Sequence, residues 1–533
     1  MNTPSLSSQQ PLLIQMLRAH PDVKVRPLPT RDFFALYHLD FGRTIYLADT
    51  DSVLFVHVTE SIGTVDQALE LLGFLKEYGP ADQLKVLSVP SVAAAVPLAE
   101  MVGYHPNVAL VGSAELDRNV VALGFEQAVM ATLRAQVGLE RLLLYQYRGA
   151  VTGNRFFGRE HQVQALLRQP RSSYLVTGAR MSGKTSLLLE AKRQLQNQYG
   201  TLPKKDWGIA YLDCREVSTA AGLMHKILQQ LEERSSFARI ERWESPERWP
   251  HFFSYLRGRA KRSPHRRLYL FLDEFDNVID IENRQDVKLT WHFRALHQNN
   301  SQELGYIQFV LAGSKHLAAA QRNLSTGLHN FVNIEDCKLD NFDLGTVKAI
   351  LERPLHDMGM EVEDLQEVGQ ALLSETGGRP ASVQYVCNQM ARRLISRNET
   401  VLTAALLHEV VASYAYLEYY EATLRENTDL VDWFVLSVSE SERVKDKKAG
   451  FSLDDVLAEV RRHGVNTTEA QVFESLADLD NAGFIRPRDD RTSQHQQYVI
   501  AAPVITKIVR RRTMKRIAHE LATTARGQRG GVA

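Results

Sequence analysis

Tyr174-Leu-Val-Thr-Gly178-Ala179-Arg180-Met181-Ser182-Gly183-Lys184-Thr185-Ser186-Leu-Leu-Leu-Glu190 is the stretch from which the rest of the chain is read. An apolar strand enters a glycine-bounded loop and an amphipathic helix leaves it, and Gly178 to Thr185 fits G-x-x-x-x-G-K-[ST] without a gap. Such a loop points backbone N–H groups inward, and the helix N-terminus adds partial positive charge where a phosphate would lie. Lys184 adds a full charge, and the Thr185 hydroxyl can ligate Mg²⁺. Glycine is required at 178 and 183 because the backbone must turn tightly there and approach the phosphate. The expected phosphate site is therefore Gly178, Ala179, Arg180, Met181, Ser182, Gly183, Lys184, Thr185 and Ser186.

Downstream, LYLFLDE (268–274) is an apolar strand that ends in two carboxylates. In an open α/β sheet, ligands bind beyond the carboxyl ends of the strands. Asp273 is expected to hold Mg²⁺ with Thr185, and Glu274 to polarise an attacking water. IQFVLAGS (307–314) ends in Gly313-Ser314, where Ser314 can reach a terminal phosphate or that water; a plain turn after a strand is the alternative. With YLVTG (174–178) and GIAYLD (208–213), these strands and the helices between them predict an α/β core over 151–335.

The chain has 533 residues, enough for several domains, with 44% apolar and 24% charged residues. Its 63 basic side chains balance 63 acidic ones, so no global field draws it to nucleic acid or to an anionic membrane. Cys214, Cys337 and Cys387 form no CxxC or Cys/His cluster, which argues against a disulfide framework or structural zinc. No secretory signal is read at the N-terminus, and no apolar run approaches the ~20 residues needed to cross a bilayer. The expectation is a cytoplasmic protein without membrane contact.

Two flanking motifs narrow the class. Asn154-Arg155-Phe156-Phe157-Gly158-Arg159-Glu160 precedes the core, and Thr376-Gly377-Gly378-Arg379-Pro380 follows it. With the phosphate loop, LDEFD and LAGS in this order, residues 150–510 resemble the STAND and origin-recognition branch of the AAA+ P-loop ATPases, most of all the prokaryotic "archaeal ATPase" group. The resemblance implies a nucleotide-binding AAA+ core with ATP and Mg²⁺ as cofactors, ADP as product, and a helical lid over 336–438. It further implies that Phe157, Gly158 and Arg159 shape the adenine pocket, and that Gly378 and Pro380 contact nucleotide from the lid. The sequence offers no arginine finger. Arg379 reads either as a lid sensor or as half of a solvent salt bridge.

Residues 450–516 read as helix, helix and hairpin, which resembles a winged helix. Its second helix carries Glu469, Glu474, Asp478 and Asp480 and no Lys or Arg, a poor match for a phosphate backbone. A protein-contact module or a self-association surface fits better. The cations of 507–516 (Lys507, Arg510, Arg511, Arg512, Lys515, Arg516) are read equally as a solvated helix face or, with the wing, as a DNA-phosphate site. Residues 439–450 are the expected linker, and 517–533 a basic, flexible tail.

Residues 1–150 read as a separate α/β domain, with strands at 44–50, 53–59, 84–89 and 107–112 and a helix whose one face is Val65, Leu69, Leu72 and Leu75. It loosely resembles restriction-endonuclease-like domains of the Mrr kind, which need two acids and a lysine on neighbouring strands. Asp49 or Asp51 would be the first acid, but the positions to match are His57 and Thr59, so the domain is expected to be degenerate, a sensor or interaction module. The reading as a whole is a slowly hydrolysing, nucleotide-controlled switch of STAND type. Its alternatives are a DNA-associated ATPase of the origin-recognition or transposition kind and an ATP-regulated nuclease.

Overall fold

The computed structural model describes residues 11–19, 23–28, 33–40, 52–78, 84–103, 107–125, 128–129, 131–133, 145–168, 172–199, 207–232, 267–285, 288–300, 306–314, 317, 328, 334–442, 444, 450–488, 496–511 and 514–529. The fold is α/β, with two five-stranded sheets followed by a helical C-terminal region.

The first sheet is built from β1 (Lys24–Pro27), β2 (Phe34–Asp40), β3 (Ser52–Val58), β4 (Lys85–Val89) and β5 (Val108–Gly112) in that spatial order. β1–β2 and β2–β3 pair antiparallel, while β3–β4 and β4–β5 pair parallel. Helices α2 (Val65–Tyr78) and α3 (Val96–Val102) make the parallel crossovers and cover one face, where Leu71, Leu75 and Leu98 meet Leu54, Val56 and Leu87. α1 (Leu12–Ala19) and α4 (Ser113–Leu123) cover the other, and that second apolar layer runs on through Val129, Leu133 and Tyr145 into the C-terminal helices. Tyr145 ties the junction, its hydroxyl donating to Ile350 O at 3.3 Å and its carbonyl accepting from Asn388 Nδ2 at 3.0 Å. This sheet is thus its own layer, yet its core is continuous with that of the C-terminal helices.

The second sheet is wholly parallel, in the order β10 (Ile334–Lys338), β6 (Ser173–Thr177), β9 (Tyr306–Gly313), β8 (Arg267–Asp273), β7 (Trp207–Asp213). The central strands are apolar through their middles, Tyr174 to Val176 in β6 and Leu268 to Leu272 in β8, because helices pack on both faces. α5 (Glu160–Arg168) and α6 (Lys184–Tyr199) close one face through Val163, Leu187, Leu188 and Leu195. α7 (Ala220–Glu232), α8 (Asp276–Gln285) and α9 (Leu289–Asn300) close the other through Leu223, Ile227, Val278, Ile281 and Phe293. The chain leaves β6 for the far edge at β7 and later returns to flank β6 with β9 and β10, so the crevice at the carboxyl end of β6 is a topological switch point.

The C-terminal region holds α10 (Leu344–Asp357), α11 (Leu365–Thr376), α12 (Pro380–Arg397), α13 (Ala404–Ala412), α14 (Tyr414–Asn427) and α15 (Leu430–Val438), with a small β11 (Glu361–Val362)–β12 (Val401–Leu402) pair. A helix–helix–sheet unit follows: α16 (Leu453–His463), α17 (Glu469–Asn481) and a three-stranded sheet of β13 (Phe451–Ser452), β15 (Gln497–Ile500) and β14 (Ile485–Pro487). α16 and α17 both start on full capping boxes, Ser452 with Asp455 and Thr468 with Gln471. α18 (Pro503–Arg510) and α19 (Met514–Arg529) end the described chain.

Several sequence expectations are corrected. The antiparallel neighbour of β3 is β2; the strand expected at 44–50, with Asp49 and Asp51, lies outside the described residues. On α2 the buried face is Ala68, Leu71, Leu72, Phe74 and Leu75, while Val65 and Leu69 are exposed: the helix is rotated so that its packed stripe starts three residues later. The core sheet includes β10, so it runs past the expected boundary at 335 to Lys338. Ser439 and Ser441 of the expected linker are buried and hydrogen bonded, to Leu436 O and Glu459. Residues 517–529 of the expected flexible tail continue α19.

Candidate functional site

The phosphate loop joins β6 to α6 at the switch point. Gly183 has φ +96° and Gly178 would bring a Cβ within 2.6 Å of Ser182 Oγ. Lys184 opens α6 and folds back on the loop, donating to Gly178 O at 3.0 Å and Ala179 O at 2.8 Å. An ammonium has three protons, so one remains for a ligand. Burial pushes the lysine below its ordinary pKa of 10.5, and the carboxylates of Glu274, Asp273 and Asp276 work against that shift.

The next side chain, Thr185, donates its hydroxyl to Asp273 Oδ2 at 2.6 Å. Asp273 is fully buried at the end of β8; the same Oδ2 accepts from Tyr211 OH at 3.2 Å, and Oδ1 from Glu274 N at 3.0 Å. A hydroxyl and a carboxylate oxygen at the mouth of the loop form the hard-oxygen donor set that Mg²⁺ takes. Glu274 itself lies in the left-handed region, φ 50°, just past the end of β8, and lines both cavities described below. Arg215 faces it: its NH1 lies 3.8 Å from Glu274 Oε1, while its Nε and NH2 grip Asp213 at 3.0 and 2.6 Å. Asp213 and Asp273 are register partners on β7 and β8, so this pairing is a direct product of the parallel alignment. The Asp213 carboxyl is held below its usual value of 3.8 by those Arg215 hydrogen bonds.

Two cavities meet at the loop. The first, about 300 Å³, is lined by Met181, Ser182, Gly183, Lys184, Thr185 and Ser186, by Phe157 and Arg159, and by Pro380. The second, about 370 Å³, is lined by Gly178, Ala179, Ser314, Glu426 and Asp478. Arg180, Lys184, Arg215 and Glu274 belong to both. Three buried polar atoms without a partner, Ser182 Oγ, Arg159 Nε and Gln384 Oε1, belong to residues lining the first cavity. Buried polar groups in folded proteins are otherwise almost always satisfied. The cavity therefore fits a polar ligand.

Of the expected residues, Gly158, Gly378 and Asp273 do not line either cavity. Gly158 lies against Thr346. Gly378 has φ +71°, and a Cβ there would strike Phe342 O, because Gly378 O accepts from Phe342 N at 2.7 Å. It lets the segment before α12 approach Phe342 closely. Arg159 is buried over the Phe342 ring and donates to Asp340 O. Ser314 is oriented through its backbone: Asp276 Oδ2 accepts from Ser314 N at 2.7 Å and Oδ1 from Leu317 N at 2.7 Å. Arg379 is neither a lid sensor at the cavity nor part of a solvent salt bridge. It is 4% exposed, donates to Ala482 O and stacks over Phe484 at 4.2 Å, tying the start of α12 to the helix–helix–sheet unit.

Tyr211, Asp213, Arg215, Asp276, Phe342 and Gln384 were not read from the sequence. For the first three there was a signal, since polar residues at the end of a parallel strand beside LDE must face the same crevice. In the first sheet, His57 on β3 has its Nδ1 buried without a partner, and burial lowers its pKa against the pull of Asp117. Among the described residues no cluster of three metal-ligating side chains is found, and no helix is long and apolar enough to cross a membrane.

No curated protein matches the chain. Among solved structures, it is similar to the Aeropyrum pernix ORC2 protein in ADPNP–ADP complexes at 13% identity and TM-score 0.47, covering 69% of this chain and 95% of that one. It is similar to Drosophila ORC bound to DNA at 14% identity and TM-score 0.35, covering 70% and 92%. It is similar to the Thermotoga maritima RuvB Holliday junction branch migration motor at 15% identity and TM-score 0.36, covering 69% and 98%. Residues 155–310, which carry the phosphate loop, Asp273 and Glu274, match the family model described as "AAA ATPase domain".

Proposed function

We propose that the chain is a nucleotide-controlled switch of STAND type that binds ATP with Mg²⁺ and hydrolyses it slowly. The observation that carries this reading is the convergence of Lys184, Thr185, Asp273 and Glu274 on one loop, with Thr185 Oγ1 2.6 Å from Asp273 Oδ2. Mg²⁺, held by Thr185 and Asp273, would neutralise charge on the phosphates. Lys184 and the loop N–H groups bind them, and Glu274 orients water and takes its proton at Oε. Arg215 holds Glu274 by charge. No arginine supplied late in the reaction is identified in the sequence, and such a residue is worth ~10³–10⁵ in rate where it has been measured. That supports a slow turnover and a signalling role.

The switch reading draws support from contacts between units. Arg379 and Asn341 bridge the lid to the winged-helix-like unit, and Arg180 of the loop pairs with Glu426 of α14 at 3.8 Å. The DNA-associated alternative draws less. Arg510 is already paired with Glu440 at 2.8 Å and Arg516 with Glu520 at 3.1 Å; Arg512 lies outside the described residues. The exposed face of α17 presents Glu469, Glu474 and Phe473, which suits a protein or a second copy better than a phosphate backbone.

Lys184→Ala is expected to abolish ATP binding, and Glu274→Gln to keep binding while stopping turnover, both read by calorimetry and phosphate release. Unchanged affinity in Lys184→Ala would overturn the site.

A further inference from the structure

We propose that the paired outer faces of α2 and α3 form a docking groove for a basic amphipathic helix of a partner protein. The inference lies outside the nucleotide site and does not depend on it.

Helices α2 and α3 cover the same face of the first sheet and touch each other. Both are crossovers between parallel strands, so both start at the carboxyl edge of that sheet and run side by side. Their inner faces are complete, with Ala68, Leu71, Leu75 and Leu98 buried. Yet Val65 and Leu69 on α2, and Val92 and Val96 at the start of α3, are 55%, 52%, 37% and 53% exposed. Among the described residues eleven large apolar side chains are exposed, and four of them gather at this one edge, with exposed Ala93 and Ala94 between. Gathered aliphatic side chains mark a contact surface, where scattered ones do not.

Gly73 continues the stripe of Val65 and Leu69 along α2. A Cβ there would meet nothing within 4 Å, so no contact inside the chain asks for glycine, although glycine is unfavourable in a helix interior. The missing side chain leaves room for another backbone to approach. The start of α2 is held ready, since Gln67 Oε1 accepts from Gly63 N at 3.2 Å and from Thr64 N at 3.3 Å.

Charge selects the occupant. Residues 52–103 hold six acids and two lysines in a chain whose charges balance, and one of those lysines, Lys85, is buried. Asp66 and Glu70 directly follow Val65 and Leu69, Glu100 lies one turn beyond Val96, and all three are exposed. An apolar centre with an acidic rim repels nucleic acid and anionic lipid, and it repels a second copy laid on it face to face. It matches a helix that carries leucines on one face with lysines or arginines beside them.

The probe is a labelled synthetic helix of leucine and lysine, its apolar stripe at i, i+3, i+4 and i+7, titrated by fluorescence anisotropy against the full chain. A leucine–glutamate helix of the same pattern is the control. The lysine helix is expected to bind and the glutamate helix not to. Leu69→Ser with Val96→Ser should weaken binding by roughly tenfold or more. Gly73→Gln should weaken it as well, while circular dichroism shows the helix content kept, because the new side chain enters open space. Asp66→Asn, Glu70→Gln and Glu100→Gln together should weaken it and flatten its dependence on salt. No binding by wild type would overturn the proposal, and so would equal binding of the lysine helix to wild type and to Gly73→Gln, or binding of the two helices alike. Wild-type dimers that Leu69→Ser with Val96→Ser dissolves would give the face to a second copy. Uptake onto anionic vesicles through the same residues would give it to a membrane, and either result overturns the assignment.

Discussion

Asp273 is a buried carboxylate whose three described hydrogen bonds come from a threonine hydroxyl, a tyrosine hydroxyl and a backbone N–H. Tyr211 reaches it from the neighbouring strand, and burial together with the nearby Asp273 charge holds the phenol protonated, well above its usual pKa. The phenol is then a fixed donor to the oxygen that also meets Thr185. Groups that orient a metal ligand in this way typically contribute 10–100-fold to metal affinity. Tyr211→Phe should therefore leave nucleotide binding without metal unchanged, and raise the Mg²⁺ concentration needed for full ATP binding by roughly tenfold. A Mg²⁺ titration of ATP affinity checks this; an unshifted midpoint would mean that the Thr185–Asp273 pair does not hold the ion. At this scale the sequence was informative where chemistry is local. Lys184, Thr185, Asp273 and Glu274 declare themselves by spacing and by the strand before them. Gln384 does not, because its place at the site is created by the docking of α12 against the loop, which leaves no local pattern.

At the scale of elements, the wall of the cavity is held by α6. Glu190 is fully buried on this helix and accepts from Gly153 N at 2.8 Å, Arg193 Nε and NH2 at 2.9 Å and Gln194 Nε2 at 2.7 Å. One turn earlier, Ser186 Oγ accepts from Val151 N at 3.0 Å. The helix after the phosphate loop thus pins the segment 151–155 that leads into Phe156 and Phe157. Burial alone would raise the Glu190 pKa, but the Arg193, Gln194 and Gly153 hydrogen bonds more than offset it, and the net shift is below the ordinary 4.5. A carboxyl lowered in the folded state contributes stability above its unfolded value, and loses that contribution as pH falls through the folded one. Glu190→Gln should destabilise the fold by about 1–3 kcal/mol at pH 7, since it turns a donor toward Gly153 N–H or Arg193. The difference from wild type should shrink below pH 4.5, where the wild-type carboxyl protonates as well. Urea unfolding at the two pH values measures both parts, and a pH-independent gap would contradict the assignment. The legibility of elements follows the same logic. β6, β8 and β9 are buried on both faces and show as apolar runs. β10, Ile334-Glu-Asp-Cys-Lys338, is a polar edge strand that only its pairing with β6 reveals. β2, Phe34–Asp40, carries Tyr37 and His38 among its apolar residues and so shows no clean alternation; its antiparallel pairing with β3 defines it.

At the scale of the whole molecule, the phosphate loop is wired to distant helices by charge. Arg180 pairs with Glu426 across 3.8 Å with both side chains about half exposed, and Arg180, Glu426 and Asp478 line the cavity that holds Glu274 and Ser314. An exposed pair of this kind is worth only about 0–1 kcal/mol, so it does not hold the fold together. Its consequence lies in competition. A third phosphate brings further negative charge to the loop, where it would attract Arg180 and repel Glu426, whereas a diphosphate leaves the pair less disturbed. The lid and the helix–helix–sheet unit, joined through Arg379, would feel that change as one body. Glu426→Gln frees Arg180 and removes the repulsion without altering shape. ATP should then bind more tightly by up to about fivefold, the limit set by ~1 kcal/mol, while ADP affinity moves less. The ratio of ATP to ADP dissociation constants, measured by calorimetry at low salt and again near 0.15 M, reads the effect directly. It should be larger at low salt, because half-exposed charges are screened over about 8 Å at the higher ionic strength. A ratio that stays fixed in the variant would mean that Arg180 does not choose between Glu426 and the nucleotide, and the link from loop to lid would have to run through Pro380 and α12 alone.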